Sequence, residues 1–163
     1  MKRKFLDYFV KVAELTAELS SATRLKVGSV IVKDNRIISC GYNGTASGSS
    51  NECEYPIVIS ADEYHNLSAD EKIRYTDYED GLYHGLKTYD HVIHSEANSI
   101  SRLAMSTESG FGASLIVTHS PCLQCSKIIY GAGIKAVYYK NSYRSDDGIN
   151  FLRRCGITVI KLD

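Results

Sequence analysis

Three potential metal ligands and one acid are the residues of this sequence best suited to chemistry. His94, Cys122 and Cys125 offer an imidazole and two thiolates, which is the ligand set of a catalytic zinc site with one open position. That position can hold a water, and Glu96, which need not bind the metal, can move protons beside it. The residue types therefore predict hydrolytic chemistry, with three zinc ligands and Glu96 as the catalytic residue.

The spacing of these residues predicts that two helix starts converge on the metal. His94 and Glu96 are two positions apart, or about 200° around a continuous helix, so they can share a site only where a helix begins. Cys122 and Cys125 are three positions apart and lie on one helix face. Pro121 suits a first helical turn, whose positive dipole end favours thiolates.

The two halves of the motif are more specific together than apart. A C-x-x-C pair alone can be redox-active or structural, and H-x-E alone carries little information. In combination, H-x-E followed by P-C-x-x-C is typical of zinc-dependent nucleobase deaminases. We therefore favour a catalytic zinc centre over a structural one.

Length and charge favour one domain that acts on a small molecule. The chain has 163 residues and a formal net charge of zero, which argues against a broad nucleic-acid surface. The sequence contains no apolar run long enough to cross a membrane and no signal-peptide pattern, so no membrane partner is expected. Besides the two predicted ligands, Cys40, Cys53 and Cys155 remain, and this odd total favours a reducing cytoplasm.

Hydrophobic periodicity predicts an α/β fold with three layers, in which helices cover both faces of a five-stranded mixed sheet. The second half alternates strands and helices, which implies parallel pairing through crossovers. Strands are predicted at residues 27–32, 36–41, 113–118, 134–139 and 157–162, and helices at 4–19, from 94 to 105, after 121 through 130, and at 146–154.

Residues 45–90 do not follow this pattern and form a long insertion. The segment is well above the roughly 12–15 residues of an ordinary connection, so it is expected to be functional or disordered. Its many tyrosines and aliphatic side chains argue against full disorder. A short helix is predicted within residues 62–74.

The chain resembles the deoxycytidylate (dCMP) deaminases, especially phage-type members, over nearly its whole length. The motifs that carry the resemblance are RLKVGSVIVK at 24–33, GYNG at 41–44, PCLQC at 121–125 and YRSD at 143–146. The resemblance implies one domain over 1–163 with a cytidine-deaminase-like fold. It implies zinc-dependent conversion of dCMP to dUMP with release of ammonia, which supplies dUMP for thymidylate synthesis in the cytoplasm, or in the host cytoplasm if the gene is phage-encoded.

The same resemblance assigns further residues. The substrate-binding candidates are Asn43, Arg24, Ser95, Tyr143 and Arg144. The effector-binding candidates are Lys26, Gly41, Tyr42, Gly44 and Lys87. The resemblance also implies a homohexamer that dCTP activates and dTTP inhibits, with Mg²⁺ offsetting the charge of the triphosphate. The glycine loop and the insertion are expected to form an effector site distinct from the zinc, with backbone N–H groups approaching phosphates.

The sequence also departs from the family pattern. Ser95 stands where the motif usually has alanine, and Ala46 replaces a frequent proline after GYNG. Phage-type relatives can carry a second, structural zinc. Three of its ligand positions are matched by Cys53, His65 and His84, but Ala22 stands at the fourth.

Two alternative functions remain open. The first is a zinc deaminase that acts on another nucleotide or base, such as dCTP, tRNA adenosine, guanine or a pyrimidine of riboflavin synthesis. A tRNA enzyme should have a basic surface, which the zero net charge does not favour. The second is a non-enzymatic zinc-binding homologue. Glu96 argues against it, because a structural zinc has no use for an unligated acid beside an open position.

Overall fold

The structure, a computed structural model, describes residues 1–162 and contains six helices and eight strands in that range. In chain order they are α1 (Arg3–Glu18), β1 (Gly28–Lys33), β2 (Arg36–Tyr42), β3 (Glu54–Ser60), α2 (Ala61–His65), α3 (Ala69–Lys72), β4 (Tyr75–Glu79), β5 (Leu82–Thr88), α4 (Ser95–Ala104), β6 (Ser114–His119), α5 (Leu123–Gly131), β7 (Ala136–Asn141), α6 (Asp147–Arg154) and β8 (Thr158–Lys161).

Five strands form the main sheet in the order β2-β1-β6-β7-β8. β1 pairs antiparallel with both β2 and β6, whereas β6, β7 and β8 are parallel. The β1–β2 hairpin turns at Asp34 and Asn35, whose φ angles of 50° and 58° fit a two-residue type I′ turn. The predicted mixed five-stranded sheet is confirmed.

Helices cover both faces of this sheet because side chains of successive strand residues point to opposite sides. On one face α1 packs against β1 and β6 through a cluster made of Leu6, Phe9, Ala13, Val30, Val32 and Ile116. On the other face, Leu103 of α4, Ile129 of α5 and Leu152 of α6 pack in one cluster with the alternate strand residues Ile31, Leu115 and Val117. The three-layer prediction is therefore confirmed. No helix within residues 1–162 is long and apolar enough to span a bilayer.

The insertion forms a second, three-stranded antiparallel sheet in the order β3-β5-β4. One short helix was predicted over 62–74, but the structure has two, α2 and α3. Each begins with its own capping box, Ser60 with Glu63 and Ser68 with Glu71, in which serine and glutamate satisfy each other's backbone N–H groups. The second capping box starts α3 after α2 has ended at His65.

Candidate active site

Helix α4 begins at the predicted metal ligand. His94 is its N-cap residue, and Ser95 and Glu96 form its first turn, both buried. β2 lies unusually close to this turn at Gly41, where a Cβ would stand 2.5 Å from the Ser95 carbonyl oxygen and 2.4 Å from the backbone nitrogen of Ser99. Only glycine permits this approach, which fixes the helix start against the sheet.

Helix α5 begins at the other two ligands. Cys122 is its N-cap residue, and Cys125 lies in its first turn. The segment before it is held to the end of β7, since the Ser120 N–H donates to the Asn141 carbonyl (2.8 Å) and the Tyr143 N–H donates to Ser120 Oγ (2.7 Å). The two helix starts meet, as the spacing predicted.

The three predicted zinc ligands form a compact group. His94 Nδ1 lies 3.6 Å from Cys122 Sγ and 3.4 Å from Cys125 Sγ, and all three ligand atoms lie within 4.8 Å of one another. Tetrahedral zinc with ordinary Zn–N and Zn–S bonds separates its ligand atoms by roughly 3.5–3.8 Å. The geometry and the donor set both fit a single Zn²⁺.

The thiols of Cys122 and Cys125 are joined by one hydrogen bond, and its proton shifts their pKa values in opposite directions. The pKa of Cys122 is lowered to about 3 because the Cys125 thiol hydrogen-bonds to it and His94 adds a second interaction. The pKa of Cys125 is raised by the same hydrogen bond and by burial, with Glu96 contributing. A divalent cation can replace that proton and bind both sulfurs as thiolates, giving a formally neutral centre with His94.

Glu96 is placed to exchange protons beside this group. Its side chain is buried, and burial raises the pKa of the carboxyl group. Ser95 Oγ donates a hydrogen bond to Glu96 Oε2 (2.9 Å). This hydrogen bond lowers the pKa of Glu96, against the effect of burial, and fixes the position of the carboxylate. The serine that departs from the motif therefore contacts the acid directly. The sequence did not predict this contact.

A cavity of about 750 Å³ joins the metal-ligand group to the insertion. His94, Glu96 and Cys122 line it on one side. The predicted substrate residues Arg24, Asn43, Ser95, Tyr143 and Arg144 line it too. The insertion supplies Asp70, Ile73, Arg74, Thr76, Leu86 and Thr88. The sequence did not single out Arg74, because no motif or periodicity connects this residue to the zinc ligands.

Arg24 and Asn43 are both held by hydrogen bonds. Arg24 Nη1 donates to Thr88 Oγ1 (3.0 Å), so the guanidinium is fixed by the end of β5. The Asn43 side chain accepts from the Val27 N–H (2.8 Å) and donates to the Leu25 carbonyl (2.9 Å). Asn43 thus shapes the cavity wall by fixing the segment before β1, in addition to lining the cavity.

Comparison with known protein families assigns this site to one of them. Residues 3–141, most of the chain, match the family described as cytidine and deoxycytidylate deaminase zinc-binding region. The chain belongs to the cytidine and deoxycytidylate deaminase family. The matched range contains Glu96 and all three residues of the metal-ligand group. The resemblance inferred from the sequence is confirmed.

Individual proteins align with this chain along most of its length. ComE operon protein 2 of Bacillus subtilis is 34% identical over 158 residues, covering 96% of this chain and 70% of that protein. Deoxycytidylate deaminase of Mycobacterium phage D29 is 35% identical, covering 82% of this chain and 91% of that one. The crystal structure of dCMP deaminase from cyanophage S-TIM5 with dCMP and dUMP superposes with a TM-score of 0.78 at 37% identity, covering 99% of each chain.

In the present chain, the predicted ligands of a second metal, Cys53, His65 and His84, do not come together. Within residues 1–162, His94, Cys122 and Cys125 are the only group of three or more possible ligands whose atoms lie close enough to share a metal ion. Cys53 is buried with Ala22 and Val92 in an apolar cluster, and its Sγ lies 3.4 Å from Ser21 Oγ. His65 instead lies against the Tyr64 and Tyr83 rings. With alanine at position 22, apolar packing occupies this region.

The predicted effector glycines have structural roles. The N–H of Gly44 donates to the Ile93 carbonyl (3.0 Å), so it is not free to bind a phosphate. Gly41 is required by the close packing on α4. The assignment of Gly41 and Gly44 to an effector site stays a prediction.

The remaining effector candidates are dispersed. Tyr42 stacks under the Arg102 guanidinium (5.6 Å), Lys87 lies over the Tyr55 ring (5.9 Å) and Lys26 is exposed. The insertion, expected to form a separate effector site, lines the same cavity as His94 and Glu96.

Proposed function

We propose that this protein deaminates dCMP to dUMP by hydrolysis, with release of ammonia. The observation that carries the proposal is a single cavity that combines the His94–Cys122–Cys125 group and Glu96 with a set of guanidinium groups. The metal-ligand group with Glu96 suits the attack of water on a ring carbon that carries an amine. The guanidinium groups suit the binding of a phosphate. The named activity of the phage relatives and the dCMP and dUMP complex of the cyanophage enzyme support the same substrate.

The chain's own residues perform the binding and proton-transfer steps. His94, Cys122 and Cys125 would hold Zn²⁺, which when bound supplies a Lewis acid that makes water a better nucleophile. Glu96 accepts a proton from that water and delivers it to N3 of the cytosine ring. It then takes the proton of the new hydroxyl group at C4 and passes it to the amine, which leaves as ammonia while the C4 carbonyl of dUMP forms. Burial of Glu96, which raises the pKa of its carboxyl group, suits a group that must take up and release protons.

Arg24 and Arg144 are proposed to bind the 5′-phosphate of the nucleotide. Asn43 and Tyr143 are proposed to line the part of the cavity that holds its sugar. Arginine suits this role because its planar fork donates two parallel hydrogen bonds to phosphate oxygens. Neither guanidinium lies within 4.0 Å of a carboxylate oxygen in the described part of the chain. A phosphate would therefore complete their interactions.

The experiment that tests this proposal compares ammonia release from dCMP, dCTP, cytidine and deoxycytidine under identical conditions. We expect dCMP to have the highest kcat/KM, because removing the phosphate leaves half-buried cations unpaired. Guanine and a tRNA anticodon stem serve as controls for the alternative substrates. Equal turnover of dCMP and deoxycytidine would refute the phosphate assignment, and turnover of a control substrate alone would refute the dCMP assignment.

Regulation and assembly form a second part of the proposal. We propose that the enzyme is a homohexamer that dCTP activates and dTTP inhibits, with Mg²⁺ accompanying the triphosphate. The support is the resemblance to the family together with the outer face of α1, where Tyr8, Leu15 and Leu19 are each more than half exposed. A row of large apolar side chains on one helix is suited to contact with another subunit.

A further inference from the structure

We propose that Arg74, delivered by the insertion, is a specificity-determining residue that contacts the nucleotide phosphate and makes the insertion a substrate-recognition element. This inference rests on the proposed function and adds a residue from a segment that no motif marks. Three kinds of observation carry it: the position of Arg74, the lack of ion pairs at the cavity arginines, and the contacts between the insertion and the core.

The backbone of the insertion fixes the position of Arg74. Arg74 lies between α3 and β4, and its carbonyl accepts the Leu86 N–H of β5 (3.1 Å). A Cβ on Gly85 would stand 2.0 Å from the same carbonyl oxygen, so the close approach of the two segments needs glycine there. This packing holds Arg74 in the wall of the cavity that contains His94 and Glu96.

The arginines of this cavity form no ion pair with the described part of the chain. Arg24, Arg74 and Arg144 all line it and are half-buried, and within residues 1–162 none has a carboxylate oxygen within 4.0 Å. Burial lowers the pKa of Arg24, and the charges of Arg144 and Arg74 lower it further, whereas Tyr143 and Glu54 act in the opposite direction. Arg24 therefore lies close enough to both arginines to be repelled by their charges. Such an arrangement is stabilised when an anion binds between the groups.

Glu54 and Asp70, the two cavity acids that the insertion contributes, form no ion pair with these arginines. The Glu54 carboxylate accepts hydrogen bonds from the Thr23 N–H and hydroxyl (3.1 Å each) and from the Arg24 backbone N–H (3.4 Å). It therefore fixes the backbone and does not pair with a guanidinium. Asp70 is exposed and also remains more than 4.0 Å from Arg74.

The ligand that fits this site is a phosphate monoester attached to a nucleoside. A phosphate monoester carries about −1.5 to −2 charges near neutral pH. Arg24 and Arg144 come from outside the insertion, and Arg74 of the insertion adds a third cation to the same cavity. Thr88 of the insertion also holds Arg24 through its hydroxyl (3.0 Å). The insertion thus supplies one cation and positions another.

The test compares Arg74→Ala with the wild-type enzyme on dCMP and deoxycytidine. We expect kcat/KM for dCMP to fall about 10- to 100-fold, which is the loss typical of one hydrogen bond to a charged group. Most of this fall should come from a higher KM. The value for deoxycytidine should stay within about twofold of wild type. Calorimetric titration gives a readout independent of turnover: affinity for dUMP should fall by the same factor, whereas affinity for deoxyuridine should not change.

Lys72→Ala is the matched control, because Lys72 is a neighbouring cation of the insertion whose Nζ donates to the His65 carbonyl (3.1 Å) and does not line the cavity. It should leave all four values near wild type. Arg74→Lys, which keeps the charge without the planar fork, should give an intermediate loss and guards against misfolding of the alanine variant.

Two results would overturn the inference. In the first, Arg74→Ala has the same kcat/KM for dCMP and the same affinity for dUMP as Lys72→Ala. In the second, Arg74→Ala lowers kcat/KM equally for dCMP and deoxycytidine, which would indicate a merely structural role. If the wild-type enzyme itself turns over dCMP and deoxycytidine equally, the phosphate preference of the proposed function fails first, before any variant is considered.

Discussion

Glu96 lies in a setting that is complete before substrate arrives. It is buried in the first turn of α4, Ser95 Oγ donates to its Oε2 (2.9 Å), and burial raises the pKa of its carboxyl group. Burying a carboxyl group costs free energy of folding. A buried acid that does not bind the metal therefore points to a functional role. Its position beside the ligand group makes proton transfer the function that fits.

Replacing Glu96 with glutamine should separate proton transfer from metal binding. Glu96→Gln keeps the size of the side chain but removes the base, so kcat for dCMP should fall at least about 10²-fold, the low end for general acid–base catalysis. Zinc content, measured by atomic emission, should stay at the wild-type value because Glu96 is not a ligand. Near-normal turnover by a correctly folded, zinc-loaded variant would refute the catalytic role.

Individual residues could be predicted where chemistry imposed a pattern. His94, Glu96, Cys122 and Cys125 were identified because zinc chemistry restricts both their types and their spacing. The Ser95 contact could not be predicted, because the sequence only indicated that a serine replaces the usual alanine. Its rotamer is decided by the packing of α4 on the sheet.

At the scale of elements, two glycines allow the helix starts to approach their neighbours. Gly41 of β2 packs on α4, and Gly148 of α6 packs on the turn that contains Cys122. A Cβ on Gly148 would stand 2.2 Å from the Pro121 carbonyl oxygen and 2.8 Å from the carbonyl carbon of Cys122. The metal-ligand geometry therefore depends on helix α6, which contributes no ligand.

Gly148→Ala should weaken zinc binding. The added methyl group must displace the backbone at Cys122, and loss of support for a metal ligand typically lowers affinity about 10- to 100-fold. Competition with a chromophoric chelator measures the change. Gly131→Ala is the control, because a Cβ at this position of α5 meets no atom within 4 Å. Equal zinc affinity in both variants would show that α6 does not position the ligand.

Elements with a clear hydrophobic period were predicted to within about two residues, as for α1 and β1. The strands of the insertion were not predicted, because none of their residues is fully buried and they therefore show no clear alternation of buried and exposed positions. Its two capping boxes were readable in the sequence, and reading them would have separated α2 from α3.

At the scale of the whole molecule, the cavity is a product of topology. Arg24, Arg74 and Arg144 are far apart in the chain and belong to three different segments, yet they line one cavity. Sequence spacing cannot predict such a meeting, since loop closure brings distant segments together without a local signal. The same reasoning explains why the insertion was expected to form a separate site.

The proposed assembly predicts a measurable kinetic response. Light scattering should give a mass about six times that of the chain, and dCMP turnover should vary with dCTP (raised) and dTTP (lowered). Binding of an effector can change turnover only by favouring one arrangement of the assembly over another. A monomer with hyperbolic kinetics that neither nucleotide alters would contradict this regulation while leaving the deaminase proposal intact.

The most direct test of the account is zinc titration of metal-free enzyme while conversion of dCMP to dUMP is followed. The account predicts no turnover after chelation, and recovery that is complete at one Zn²⁺ per chain, since the described part of the chain contains one group of three ligands. Cys125→Ala should fail to recover at the same zinc concentration. Full conversion of dCMP by metal-free protein, or a Cys122–Cys125 disulfide in the active enzyme, would contradict the account.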